Sequence, residues 1–326
     1  MNGQMSTQVF HPNQTTVLIP AFNEERFIGQ CLDSAVEQAD CVIIGDNAST
    51  DRTAAICRQY VDKYKHIRYI RHETNIGAVQ NSVCIAGLVD TEFVIQMGAH
   101  DKLPENYVLT LKKLLNEDVG AVCAYGNCSD MKLDGTISGI LDFASVRAGM
   151  SDDDPYIRAA SVFRGNRSYN LIFGLYRSQS VIPIFMELKQ IAGCDHFFVT
   201  AALLEGKFLY APDTAFLRRM MHPNDTDKDY MVRIVGENHQ KKLPRDYTAA
   251  GKQIVDWIWK HRTNKELSPE QEKAFKDLLF QMALKLGTPT GHPFWDGVFA
   301  LRKLWRKWCK FIKCKLIPGY AKRKNL

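Results

Sequence analysis

The chain has no uninterrupted apolar run near 18 residues, the length that a bilayer-spanning helix needs, so no such helix is expected. It has no CxxC pair. Its nine cysteines (Cys31, Cys41, Cys57, Cys84, Cys123, Cys128, Cys194, Cys309 and Cys314) are scattered, several within segments that read as helix or strand. That usage suggests reduced, buried thiols in a cytosolic protein and argues against a zinc site. The stretch Met1 to Asn13 is polar and holds no apolar core, so no secretory signal is expected there. No internal repeat is visible. No Gly-rich basic loop follows the first apolar run, which disfavours a nucleotidyltransferase.

What is present is an ordinary globular composition over 326 residues, 45% apolar and 24% charged. That length accommodates one large α/β domain and an appendage. The net charge of +6 is unevenly spread. Residues 292–326 hold ten Lys or Arg against one acid, so this tail carries +9 and the remainder −3. Within the tail, the spacing predicts a helix over 298–313. Val298, Leu301, Leu304, Trp305, Trp308, Phe311 and Ile312 form one stripe, opposite Arg302, Lys303, Arg306, Lys307, Lys310 and Lys313. A basic face against a Trp/Phe/Leu face is the pattern of an interfacial helix on anionic lipid. A helix packed on its own protein with a solvated basic face is the alternative. Nucleic acid is not expected as a partner, because no binding motif accompanies the charge.

Apolar runs of 4–6 residues bounded by turn residues predict buried parallel strands over 17–20, 42–45 and 93–97, and 67–70 and 121–125 are further strand candidates. Helical patterns fill the gaps at 24–36 (with Asn23 as N-cap), 53–64, 78–89 and 106–115. The alternation predicts a mostly parallel sheet flanked by helices. Residues 126–169 read as a loop with short helices, and Asp152-Asp-Asp154 before Pro155 as a solvated turn and helix N-cap. Beyond it, 171–176, 208–211 and 215–220 read as strands. Residues 195–204, 251–261 and 269–286 read as helices. The division expected is 1–235 for the α/β domain and 236–326 for a helical C-terminal extension.

Three runs end abruptly in oxygen-rich residues: Thr16-Val-Leu-Ile-Pro-Ala-Phe-Asn-Glu-Glu25, Cys41-Val-Ile-Ile-Gly-Asp-Asn-Ala-Ser-Thr-Asp51 and Phe93-Val-Ile-Gln-Met-Gly-Ala-His-Asp101. In open α/β sheets ligands bind beyond the carboxyl ends of the strands, so Asn23, Asp46 and Asp101 should share one polar edge. These motifs, with Thr74-Asn-Ile-Gly77 and Asn81 between the second and third, resemble the family 2 inverting glycosyltransferases of the GT-A (Rossmann-like) fold, over about residues 15–225. The resemblance implies Ala21, Phe22, Glu24, Asp46, Asn75 and Gly77 as contacts to a nucleotide-sugar donor. A strand-end carboxylate can accept from a base N–H, and an aromatic ring can stack on the base.

The fourth motif departs from the family, which carries Asp-x-Asp there to hold Mg²⁺ or Mn²⁺ on the diphosphate. Here Gly98-Ala99-His100-Asp101 leaves Asp101 and His100 as the candidate metal ligands. Gln80 stands where the family often has Arg. The segment Phe216-Leu-Arg-Arg-Met-Met-His222 resembles the family's Arg-x-x-His strand. It adds Arg219 as a donor contact and His222 as a metal ligand, with Arg218 on the opposite face of a strand. In Gly193-Cys-Asp-His-Phe-Phe198 the resemblance makes Asp195 the base that takes the acceptor proton; helix capping is its other reading. The resemblance thus implies a hexosyltransferase-type enzyme. It would use a nucleoside diphosphate sugar (a UDP-sugar first) and a glycan or lipid-linked acceptor for surface polysaccharide or lipopolysaccharide. Its place would be the cytoplasm, peripheral on the inner face of the cytoplasmic membrane. The rival expectation is a non-catalytic nucleotide-sugar-binding scaffold with a degraded metal site.

Overall fold

The computed structural model describes residues 9–141, 143, 147, 149–163, 168–191, 193–219, 248–262 and 268–286. Strands β1 (His11–Ala21), β2 (Cys41–Asp46), β3 (Ile67–Arg71) and β4 (Thr91–Gln96) alternate with helices α1 (Ile28–Ala35), α2 (Thr53–Lys63) and α3 (Ala78–Ala86). These four strands are parallel, in the order β3-β2-β1-β4. All of β2 and the 15–19 stretch of β1 are buried, as strands covered on both faces must be. Helix α1 turns Ile28, Cys31, Leu32 and Ala35 into the core. The chain leaves β1 toward β2 on one side and returns through β4 on the other. A crevice therefore opens at the carboxyl ends of β1 and β4, the switch point where such sheets bind ligands.

Helix α4 (Tyr107–Glu117) leads into β5 (Ala121–Met131). Here the structure corrects the expected loop. β5 runs six residues past Tyr125 and returns antiparallel as β6 (Ile137–Leu141), through a turn with Gly135 at φ 90°. Instead of a strand over 171–176 there is a 3-10 turn (Ser168–Phe173) followed by short β7 (Leu175–Arg177), antiparallel between β4 and β5. The two strands expected at 208–220 are one, β8 (Lys207–Arg219), parallel to β5 and irregular where Gly126–Asn127 meets it. Helix α5 (Pro155–Ser161) is capped as expected: Asp154 Oδ1 accepts from the backbone N–H of Tyr156 and Ile157.

Helices α6 (Ser178–Met186) and α7 (Cys194–Glu205) follow. Of the extension, α8 (Thr248–Arg262) packs on α7, with Trp257 edge-on to Phe197. Helix α9 (Pro269–Leu286) packs on α5, with the Tyr156 and Phe275 rings 5.1 Å apart. The domain boundary at 235, His222 and the basic helix at 298–313 lie outside the described residues. No helix among the described residues is long and apolar enough to cross a membrane. Cysteines 31, 41, 57, 123 and 128 are buried free thiols, Cys194 is half-buried and Cys84 is exposed.

One close approach fixes how α3 meets the sheet. A Cβ on Gly45 would lie 2.3 Å from Asn81 Oδ1 and 2.8 Å from Ile85 Cγ2. The Asn81 amide uses that space to donate to the Gly45 carbonyl. Gly45→Ala should therefore destabilise the protein by about 1–3 kcal/mol through overpacking. Urea denaturation measures it; an unchanged midpoint would show that the helix simply shifts.

Candidate active site

The strand ends are built by side chains that stitch one loop to the next. Asn23, expected as a helix cap, instead adopts the left-handed conformation (φ 54°). Its Oδ1 accepts from Thr50 N–H, and its own N–H donates to Ser49 Oγ. The backbone N–H groups of Phe27 and Ile28 both donate to the Glu24 carbonyl, so residues 24–27 form a turn and α1 begins only at Ile28. The Glu24 and Glu25 N–H groups donate to Thr53 Oγ1 and Asp51 Oδ2, tying the first motif to the second.

Asp46 ends β2 fully buried. Its Oδ1 accepts from Ser49 N–H, and its Oδ2 from the Tyr69 hydroxyl at 2.5 Å and from Arg71 at 2.8 Å. Burial of the Tyr69 hydroxyl, and then its hydrogen bond to Asp46, push the Tyr69 pKa upward. Asn47 Nδ2 donates to Asn75 Oδ1, which also accepts from Gly77 N–H, and Asn47 Oδ1 accepts from Ile76 N–H. That pins the third motif against the second and delivers Gly77, at φ 87°, to the N-cap of α3. Ala21 is buried at the end of β1, and Phe22 is half-buried beyond it.

Across the switch point, Glu24 (after β1) meets His100 (after β4), with Oε1 and Nδ1 2.8 Å apart. His100 Nε2 is 3.8 Å from Asp101 Oδ1. Asp101 accepts backbone N–H bonds on both oxygens, from Gly98 and from Arg219, and is only 2% exposed. Burial raises its carboxyl pKa above the ordinary 3.8, opposed by His100 and by those two N–H groups. Arg219 joins from the end of β8. Its Nε donates to the His100 carbonyl, Nη1 to the carbonyls of Lys132 and Leu133, and Nη2 to Gln30 Oε1. Its guanidinium also lies 4.2 Å from the Phe27 ring centre. Burial draws the Arg219 pKa down, while Asp101 and Glu24 hold it up. Its neighbour Arg218 faces the other way, onto Asp130 and Asn170, as strand alternation requires.

Glu24, His100, Asp101 and Arg219 are thus one cluster. The cluster lacks the first carboxylate of the Asp-x-Asp pattern, because Gly98 stands there, and Asp101 and His100 are what it offers a divalent cation. Each Asp101 oxygen already accepts one backbone N–H, and His100 Nδ1 is paired with Glu24, a pairing that orients an imidazole for its other nitrogen. A Cβ at Gly98, where that pattern has an aspartate, would come 2.8 Å from Asp101 Oδ2. Among the described residues, no group of three or more His, Cys, Asp or Glu is placed to hold a metal.

Asp195 comes from a different part of the chain, the second residue of α7. It does not cap that helix. The N-cap is Gly193 at φ 81°, and Asp195 Oδ1 instead accepts from the N–H of its neighbour His196. The sequence reading missed Gln30, Asn47, Tyr69 and Arg71 as parts of the site. Only Tyr69 and Arg71 left a signal, two residues apart on one face of a strand ending beside Asp46.

Residues 16–140 match the family model Glycosyl transferase family 2. The chain carries a family 2 glycosyltransferase domain. Two curated relatives are similar over this stretch. Glycosyltransferase GlyA of Streptococcus pneumoniae serotype 4 is 30% identical over 112 residues, 32% of this chain and 15% of GlyA. The "Probable glycosyltransferase YdaM" of Bacillus subtilis is 32% identical over 120 residues, 33% of this chain and 28% of YdaM. The chain therefore spans less than a third of the length of either relative. Among solved structures, S. aureus TarS 1-349 superposes with a TM-score of 0.52 at 16% identity, over 84% of this chain and 81% of that one. Its complex with UDP-GlcNAc gives 0.53 at 15% identity, over the same shares of the two chains. At that identity the likeness concerns the fold, which is GT-A.

Arg219 holds three separate pieces of chain with four donated hydrogen bonds. A lysine ammonium has neither the span nor the fork to replace them. Arg219→Lys should cost at least about 2 kcal/mol, because buried carbonyls lose charge-assisted partners. Equilibrium urea unfolding checks this; a variant as stable as the parent would mean that the clasp is dispensable.

Proposed function

We propose that the protein is an inverting glycosyltransferase. It would move one sugar from a nucleoside diphosphate sugar, a UDP-sugar first, to a hydroxyl of a glycan or lipid-linked acceptor in surface polysaccharide or lipopolysaccharide synthesis. The observation that carries the reading is the convergence of the first, second and fourth motifs on the β1/β4 switch point of a family 2 domain. The UDP-GlcNAc complex of TarS supports a UDP-sugar donor. In this reading Ala21, Phe22, Asp46, Asn75 and Gly77 shape the nucleoside end, with Asp46 acting through the Tyr69 and Arg71 groups it orients. Glu24, His100 and Arg219 brace the end of β1 against the end of β4. Asp195 removes the proton from the acceptor hydroxyl as that oxygen attacks the anomeric carbon, and the nucleoside diphosphate departs from the opposite face. One carboxylate suffices for such a single displacement.

The inward commitment of Asp101 and His100 favours a second reading, a nucleotide-sugar-binding scaffold without turnover. Calorimetric titration with UDP, GDP, dTDP and CDP, each with Mn²⁺ and with EDTA, addresses donor and metal together. Micromolar binding of UDP is expected. Collapse in EDTA would restore His100, Asp101 and His222 as holders of Mn²⁺ or Mg²⁺, and no binding of any nucleotide would sink the donor site. Asp195→Asn should keep UDP binding and lose about 10²–10⁴-fold in donor turnover. Equal turnover in parent and variant would remove Asp195 from the chemistry, and binding without turnover in the parent is the scaffold's signature.

The basic amphipathic segment 298–313 is proposed to bring the enzyme to the inner face of the cytoplasmic membrane, beside a lipid-linked acceptor. Deleting residues 295–326 should abolish co-sedimentation with anionic vesicles while UDP binding persists. Unchanged sedimentation contradicts the membrane role.

A further inference from the structure

We propose that His196 is a positioning residue for the base: its Nδ1–H donates to Asp195 Oδ1 and leaves Oδ2 to take the acceptor proton. The proposal rests on the reading of Asp195 as that base. Asp195 Oδ1 lies 2.9 Å from the His196 backbone nitrogen and 3.0 Å from His196 Nδ1, so one oxygen receives two donors from the next residue. The side chains are 31% and 19% exposed, respectively. A carboxylate that open to water would otherwise sample several rotamers, and two donors on one oxygen select a single one.

The platform beneath the pair is fixed. Phe197 packs edge-on against Trp257, and Phe198 lies between Tyr176 and Phe185. Cys194, on the other side of Asp195, has its thiol pushed up to about 12 by burial, so it stays neutral and offers no competing charge. Orientation of the base therefore falls to His196. In the transfer, the acceptor O–H bond breaks and its proton goes to Asp195 Oδ2. The acceptor oxygen bonds to the anomeric carbon. The bond from that carbon to the phosphate oxygen breaks, and its electron pair leaves with the nucleoside diphosphate. His196 keeps its Nδ1 proton throughout.

Two measurements on the full chain test this. Nitrogen-15 NMR of the histidine rings, with His196 assigned by comparison with His196→Leu, should show the Nδ1–H tautomer in the parent; an Nε2–H tautomer overturns the proposal. Hydrolysis of UDP-GlcNAc, with water as acceptor, should lose about tenfold to a hundredfold in kcat in His196→Leu, as expected for a misaimed base, with KM within about twofold. His196→Asn, whose amide N–H can reach Oδ1, should recover most of that loss. Parent-like kcat in His196→Leu, or no recovery in His196→Asn, overturns the positioning role. Asp195→Asn separates the two claims. If it retains parental kcat, the base itself is misassigned. If it is inactive while His196→Leu is not, only the positioning role fails.

Discussion

The buried guanidinium of Arg219 holds the carboxyl-end edge of the sheet in one piece. It donates to carbonyls at the end of β4 and in the turn of the β5–β6 hairpin, and to Gln30 on α1, while its own backbone N–H binds Asp101. A positive charge this deep in a protein is tolerable only with good acceptors and nearby negative charge, and Glu24 and Asp101 supply the latter. Two carboxylates, a histidine and an arginine then form one nearly closed electrostatic unit. The rigidity of the β1/β4 crevice follows, since each of its walls is tied to the same side chain.

That unit changes the division of labour at the site. In a pattern with Asp-x-Asp, carboxylates project toward a cation. Here Gly98 removes one carboxylate, His100 replaces another and turns to Glu24, and Asp101 turns to the backbone. The same residues that the Asp-x-Asp pattern would turn to a metal here also brace β1, β4 and β8 against one another. The Asp46, Tyr69 and Arg71 group shows the same economy: a buried carboxylate acts by orienting its neighbours.

Much of this was legible in the chain. Parallel strands buried on both faces must be continuous apolar runs, so β1, β2 and β4 and the polar residues ending them stood out. Asp154 before Pro155 announced a cap, and the alternation of Arg218 with Arg219 announced opposite faces. Other features left weaker marks. Asn23 reads as a cap because asparagine serves caps and left-handed turns alike, and only its contacts with Ser49 and Thr50 decide between them. The second half of β5, Gly126-Asn-Cys-Ser-Asp-Met131, is too polar to look like a strand, yet it lies between β6 and β8, which satisfy its backbone. The partners of Arg219 are mostly carbonyls, which every residue has, so no sequence pattern marks them. The Glu24–His100 bond joins residues 76 apart and is visible only once the strands are ordered.

The central claim is a single displacement at the anomeric carbon with Asp195 as base, on the face opposite the departing nucleotide. Proton NMR of UDP-GlcNAc hydrolysis, followed from the first turnover, reads the anomer before it mutarotates. The account predicts that the β-anomer of the sugar appears first from this α-linked donor. An initial α-anomer would require a second displacement or a front-face reaction and would contradict it.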